Sequence, residues 1–192
     1  MFYFKCSGAI GLCFWLAFGI VSASAIAPGR AGPVPVSDDT GESAKVKISR
    51  ALSSGPANVT KDATVAEMDD AGNLKILRPG TNDFACVPGN PKVIGKPAFC
   101  ADKAAMQWNR DRAEHKPGPT IRVPGIEYML AGAVVKNDAD PNGPPVHVPP
   151  HWMILWPFDP ANSGLSTSRK PTGAYIMRAG TPWAHIHVMG PP

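Results

Sequence analysis

Residues 79–119 read PGTNDFACVPGNPKVIGKPAFCADKAAMQWNRDRAEHKPGP. Two cysteines, Cys86 and Cys100, bracket a loop rich in Pro and Gly, and a helix-like run over residues 101–115 starts straight after the second. The pattern predicts a disulfide that pins this helix to a strand ending near Cys86. The expectation rests on counting. The chain holds four cysteines, and Cys6 and Cys13 fall in an N-terminal leader-like segment. Two remain, the even number that an exported domain keeps. Closing a loop of this size stabilises a fold by roughly 3 kcal/mol on the chain-entropy model. The alternative is two buried free thiols. A zinc site on these cysteines is disfavoured by the absence of any C-x-x-C spacing.

The leader carries one positive charge, Lys5, then an apolar run over residues 9–21, then Ala23-Ser24-Ala25. That order matches a signal peptide with a small-x-small cleavage site, so residues 1–25 are expected to be removed. The apolar run is short for a membrane span, which needs about 20 residues. No later stretch is apolar enough to cross a membrane. The expected destination is the periplasm or the extracellular space, where a disulfide persists.

Residues 26–42, IAPGRAGPVPVSDDTGE, bury little and read as a disordered linker. Residues 43–192 are of a size for one domain with its own core. The basic residues are scattered, with no run and no alternation with aromatics, which argues against nucleic acid as a partner. The 22 prolines predict short elements joined by long ordered loops.

Along that domain, residues 43–53 fit a short amphipathic helix with Ala44, Ile48, Ala51 and Leu52 inward and the lysines and Arg50 outward. Gly55-Pro56 stops it. A hairpin follows, DATVAEM and then LKIL, turning at Asp69-Asp70-Ala71-Gly72. Residues 84–87 form a third strand. In the central helix Ala101, Ala105 and Trp108 share a face, Asp102 sits in the first turn where a carboxylate offsets the helix dipole, and Arg110, Asp111 and Arg112 point outward. Further strands are expected over residues 126–130, 152–156, 174–177 and 184–189, with residues 136–151 a long proline-rich loop of the kind that is often functional. The fold class is therefore α+β, with a small, mainly antiparallel sheet of about six or seven short strands, one or two helices, and one disulfide.

Several phrases together resemble a family of small secreted proteins, largely bacterial, with no assigned function. They are Ser54-Gly55-Pro56, DATVAEMD, the run from Gly72 to Asn82, the two cysteines with Asp102 following Cys100, GIEYMLAGA, NDADP, PPHWMIL and YIMRAGTPWAHI. They span most of residues 54–188. The resemblance implies a single exported domain and no particular reaction. Its last phrase runs Gly-Thr-Pro, an aromatic, one residue, then His, matched here by Gly180 to His185. His is not the family's usual residue at the place of His187, so the resemblance implies no family-wide His-x-His site.

The residues themselves offer two candidate metal sites. His185 and His187 are two apart on a predicted strand and so share a face, with Cα atoms about 7 Å apart. His151 starts another strand and is a third candidate ligand, with Glu67 or Glu127 as alternatives. Three such ligands plus water would suit a divalent metal such as zinc. The competing expectation is that His151 and His185 make structural hydrogen bonds. Asp138, Asp140 and Asn142, in DADPNG, match the start of a calcium loop, but the twelfth position is Pro149 and a plain Asx turn explains the spacing equally well. Asn58-Val59-Thr60 is a glycosylation sequon, relevant only in a glycosylating host. Trp108, Trp152, Trp156, Trp183 and Tyr128 read as core or as walls of a ligand cleft.

Three functional readings follow. The first is an exported domain that binds a small molecule or an envelope partner. The second is a metal-assisted hydrolase or lyase using His151, His185 and His187. The third is a structural envelope or cell-surface protein. The exported protein is expected to begin at Ile26. Intact-mass measurement checks this, and a mature form that retains residues 1–25 would refute the leader.

Overall fold

The structure is a computed structural model and describes residues 41–137, 140 and 142–192. The expected leader and nearly all of the expected linker lie outside the described residues, as does Asp138. In chain order the elements are α1 (Ala44–Leu52), α2 (Ala57–Thr60), β1 (Thr64–Met68), β2 (Leu74–Arg78), β3 (Phe84–Val87), β4 (Phe99–Asp102) and α3 (Lys103–Ala113). There follow β5 (Gly125–Met129), β6 (Ala133–Val135), β7 (Val146–Val148), β8 (His151–Leu155), α4 (Pro160–Ser163), β9 (Gly173–Met177) and β10 (His185–Met189).

Eight strands make one sheet in the order β2-β1-β3-β4-β5-β8-β10-β9. Among the described residues only β1 and β3 run parallel; every other pairing in this sheet is antiparallel. The class is α+β, with a larger sheet than the sequence suggests. The additional strands are β4 and the ribbon β6–β7. In β4, Ala101 is a strong helix former, but pairing with β3 on one side and β5 on the other holds it extended. The helix thus starts two residues later than expected. The ribbon takes Val146-His147-Val148 out of the proline-rich loop and pairs them with Ala133–Val135. The additional helices, α2 and α4, are single turns.

Two registers define the two faces. Ala85, Ala101, Glu127, Met153, His187 and Tyr175 stand in one row across β3, β4, β5, β8, β10 and β9. The next row, Cys86, Cys100, Tyr128, Trp152, Val188 and Ala174, points to the opposite face because side chains alternate along a strand. Cys86 and Cys100 are direct cross-strand partners and form the disulfide. It joins β3 to β4 rather than a strand to the helix. Ala51 of α1 packs on it with Ala63 and Val65.

On the other face α3 lays Ala105, Met106 and Trp108 against Val87, Ala101, Met153 and Leu155. The approach is close at Gly125, where a Cβ would stand 2.4 Å from the Ala105 backbone nitrogen. Asp102 is the N-cap, its carboxylate accepting from the Ala105 N–H at 2.8 Å.

Four expectations about exposure are corrected. Lys47 is buried, its amine 2.5 Å from a Glu67 carboxylate oxygen; a long stem packs under apolar cover while its tip finds a partner. Ala44 is exposed instead, and Arg50 is half-buried across Glu42, with bonds of 2.8 and 2.6 Å. Asp111 is fully buried and ties the helix end to the following turn through Gln107, Lys116 and Thr120. Burial acts to raise its pKa, but the bonds from Lys116, Thr120 and Gln107 outweigh it and hold the carboxyl at about 2.

Reducing the Cys86–Cys100 bridge should lower unfolding stability by about 3 kcal/mol, from its loop length. Urea unfolding of oxidised and reduced protein measures this directly. An unchanged midpoint would show that the bridge constrains nothing in the unfolded chain.

Candidate functional site

Strands β5, β8, β10 and β9 place their odd-numbered residues on the α3 face. There an open cavity of about 990 Å³ is walled by Met129, Met153, Leu155 and Trp108, with the polar groups Glu127, His151, His185 and His187 set among them. The volume lies at the upper end of the range for small-molecule sites, and charged side chains, among them Lys96, Arg112 and Arg178, line the cavity together with these buried polar groups and the apolar wall. The ribbon β6–β7 packs over the far end, where Ala133 and Val148 meet Tyr175 and Met189.

The three histidines form a row with His187 at its centre. The His151 and His187 rings stack at 5.0 Å with planes 13° apart, and the His185 ring lies 5.0 Å from His187 at 45°. Two of the rings are fixed by backbone carbonyls. His151 Nδ1 is 2.8 Å from the Pro149 carbonyl, and His185 Nδ1 is 2.7 Å from that of Trp183. A carbonyl only accepts, so each Nδ1 carries the proton and each Nε2 keeps a lone pair. His187 Nδ1 meets the Tyr175 hydroxyl at 3.3 Å. Trp108 sets its edge against His185 at 5.9 Å.

All three imidazoles are held neutral. Burial lowers the pKa of His151, that of His185 to about 4 and that of His187 to about 2. For His187 the neighbouring His185 and His151 add to this, followed by Arg169 and Arg178. Glu127 moves the other way. Burial raises its carboxyl to about 7, against the Asn109 amide that donates to it at 2.5 Å and the charge of Arg112. A carboxyl poised near neutrality is suited to giving or taking a proton.

The expected ligand residues are thus on one face and in one cavity, but their rings do not converge. Imidazole lone pairs lie in the ring plane, and two near-parallel stacked planes share no point at which an ion can sit. Among the described residues no group of three His, Cys, Asp or Glu side chains is arranged to hold a metal ion. Glu67 is engaged by Lys47. In the expected calcium loop, Asp140 accepts from the Asn142 N–H at 3.1 Å, an Asx turn, while Asp138 lies outside the described residues. Asn58 is exposed on α2.

Sequence reasoning missed Asn109, Tyr175 and the methionines of the cavity wall. The alternation Glu127/Met129, His151/Met153 and Tyr175/Met177 was visible, but which strands adjoin was not. Comparison with known proteins gives no match among family models, curated proteins or solved structures.

The shifts predict an opposed pH dependence. Below about pH 6.5 the unfolded chain binds protons that the buried histidines refuse, down to about 4 for His185 and about 2 for His187, so their contribution to stability is lost as pH falls through that range. Glu127 keeps its proton to about 7 when folded, so its contribution is present at low pH and lost as pH rises through 7. Glu127→Gln should therefore raise stability at pH 8 by on the order of 2–3 kcal/mol and change it little at pH 4.5. Thermal unfolding at the two pH values checks this, and an equal effect at both would contradict the neutral carboxyl.

Proposed function

We propose that this protein is an exported, single-domain binder of a small, largely apolar molecule, held in the cavity on the α3 face. The observation that carries the reading is the cavity itself: about 990 Å³, walled by methionine, valine, leucine and phenylalanine, with Glu127 and the histidine row as its main buried polar groups. Apolar walls supply affinity through burial, and a few fixed polar groups supply orientation. Met129, Met153 and Met177 are unbranched and adapt to irregular shapes. The leader sequence and the disulfide support export. Among the described residues no helix is long and apolar enough to cross a membrane.

The hydrolase or lyase reading is favoured by one observation, the anchoring of His151 and His185 through Nδ1, which leaves each Nε2 lone pair available. It needs the stacked His151 and His187 rings to turn before they share an ion with His185.

The neutral fluorophore N-phenyl-1-naphthylamine tests the binding reading. Saturable one-to-one binding is expected. Met129→Trp, which narrows the cavity, should weaken it about tenfold or more, the scale of a lost apolar contact of 1.4 kcal/mol. His147→Ala, on an exposed ribbon residue outside the cavity, should leave it unchanged. Absence of saturable binding by the folded protein would overturn the reading.

A further inference from the structure

Each of the three cavity histidines stands directly across from a cavity methionine on a neighbouring strand. His151 pairs with Met129, His187 with Met153, and His185 with Met177. Residues directly opposite in an antiparallel pair have Cβ atoms about 4.5–5.5 Å apart, within reach of a shared ion for an imidazole and a flexible thioether. From this pairing we propose that His185, His187, Met153 and Met177 form a binding site for monovalent copper, with two imidazole nitrogens and two thioether sulfurs as ligands.

The geometry is centred on β10. His185 and His187 are two residues apart on it and share a face. Met153 reaches in from β8 on one side and Met177 from β9 on the other. The His185 and His187 ring centroids lie 5.0 Å apart with planes inclined by 45°, so these two are not stacked face to face as His151 and His187 are. The Nδ1 proton of His185 is held by the Trp183 carbonyl. Fixing the remote nitrogen in this way orients a ligating imidazole and leaves Nε2 for the metal. His187 has its remote nitrogen against Tyr175. Both rings are neutral, the state in which imidazole ligates.

The choice of metal follows from the donors. Thioether is a soft ligand that selects monovalent copper, while imidazole accepts copper and zinc alike. Zinc sites are built from thiolate, imidazole and carboxylate, and no such group of three is arranged for an ion among the described residues. The two cysteines of the domain are tied up in the disulfide, so no thiolate there competes. This proposal goes beyond the ligand-binding reading and does not depend on it.

The test is an anaerobic titration of the full chain carrying Cys6→Ser and Cys13→Ser, so that leader thiols contribute nothing. Cu(I) is supplied with the chromophoric chelator bicinchoninate. The protein should withdraw one equivalent of Cu(I) from the chelator. Met153→Leu with Met177→Leu, which conserves side-chain volume, should weaken Cu(I) binding about a hundredfold while leaving thermal unfolding of the copper-free protein nearly unchanged. His187→Asn should weaken it similarly. Met106→Leu, in the core under α3, should leave the affinity as it was. X-ray absorption at the copper edge should show sulfur as well as nitrogen neighbours, and the sulfur signal should vanish in the double methionine variant. Failure to compete with the chelator overturns the proposal. So does a double methionine variant that binds as tightly as the parent, since that would leave a histidine-only site. A negative copper result leaves fluorophore binding untouched, so the two readings fail separately.

Discussion

One carboxylate connects the parts on which the site depends. Asp102 closes β4, caps α3 through the Ala105 N–H at 2.8 Å, and with its second oxygen accepts from Ile126 N–H of β5 at 2.9 Å. An N-cap satisfies backbone donors that the helix cannot bond within itself. Here the same side chain also fixes where the helix sits on the sheet. Gly125, next along β5, lets the helix backbone approach without a clash. Once α3 is seated, Asn109 lies over Glu127 and Trp108 lies against Trp183 and His185. The charge of Asp102 further helps to raise the Glu127 carboxyl, after burial. The cap therefore builds the site and tunes it.

The opposite face does a different job. There the disulfide, Val65, Ala63 and Ala51 form a mainly apolar layer, in which the buried Ser54 hydroxyl meets Cys100 Sγ at 3.3 Å and donates to the Ala51 carbonyl at 2.6 Å. The polar residues of the α3 face lie largely along the strands toward β9, beyond the apolar contacts of the helix. Burying them unpartnered would be costly. Each has a partner: His151 the Pro149 carbonyl, His185 the Trp183 carbonyl, His187 the Tyr175 hydroxyl, Glu127 the Asn109 amide. Burial then keeps the histidines uncharged and Glu127 close to neutral. The result is a row of buried polar groups in the cavity that are paired on their outer side and carry little charge of their own.

The fold class, the disulfide and most strands were legible because they rest on local signals: cysteine number, alternation, turn residues and proline stops. Lys47 and Asp111 were misplaced because periodicity treats a charge as outward, whereas each has its counter-group in a distant segment or a following turn. Strand β4 was hidden because its extended form comes from neighbours on both sides and not from Phe99-Cys100-Ala101-Asp102 itself. The ribbon β6–β7 was hidden among prolines for the same reason. At the site, the shared facing of His185 and His187 follows from a spacing of two. Their relation to His151, Met153 and Met177 depends on the order β5-β8-β10-β9, which is a property of the whole sheet.

That order would still misplace the histidines without a fixed register, since a slip of one residue turns every side chain of a strand to the other face. Between β9 and β10 the turn supplies the register. Arg178 adopts φ 57° and Gly180 φ 77°, the left-handed region that an arginine enters at some cost. Thr181 holds the turn by bonding the Arg178 carbonyl through both its N–H and its hydroxyl. Trp183 then reaches Trp108 of α3 edge-on at 5.1 Å, while its carbonyl orients His185. The hairpin is thus anchored to the helix that Asp102 seats, and the same contact sets the ring of the first histidine. A change in the turn would therefore alter which side chains line the cavity before it altered how tightly the sheet is packed.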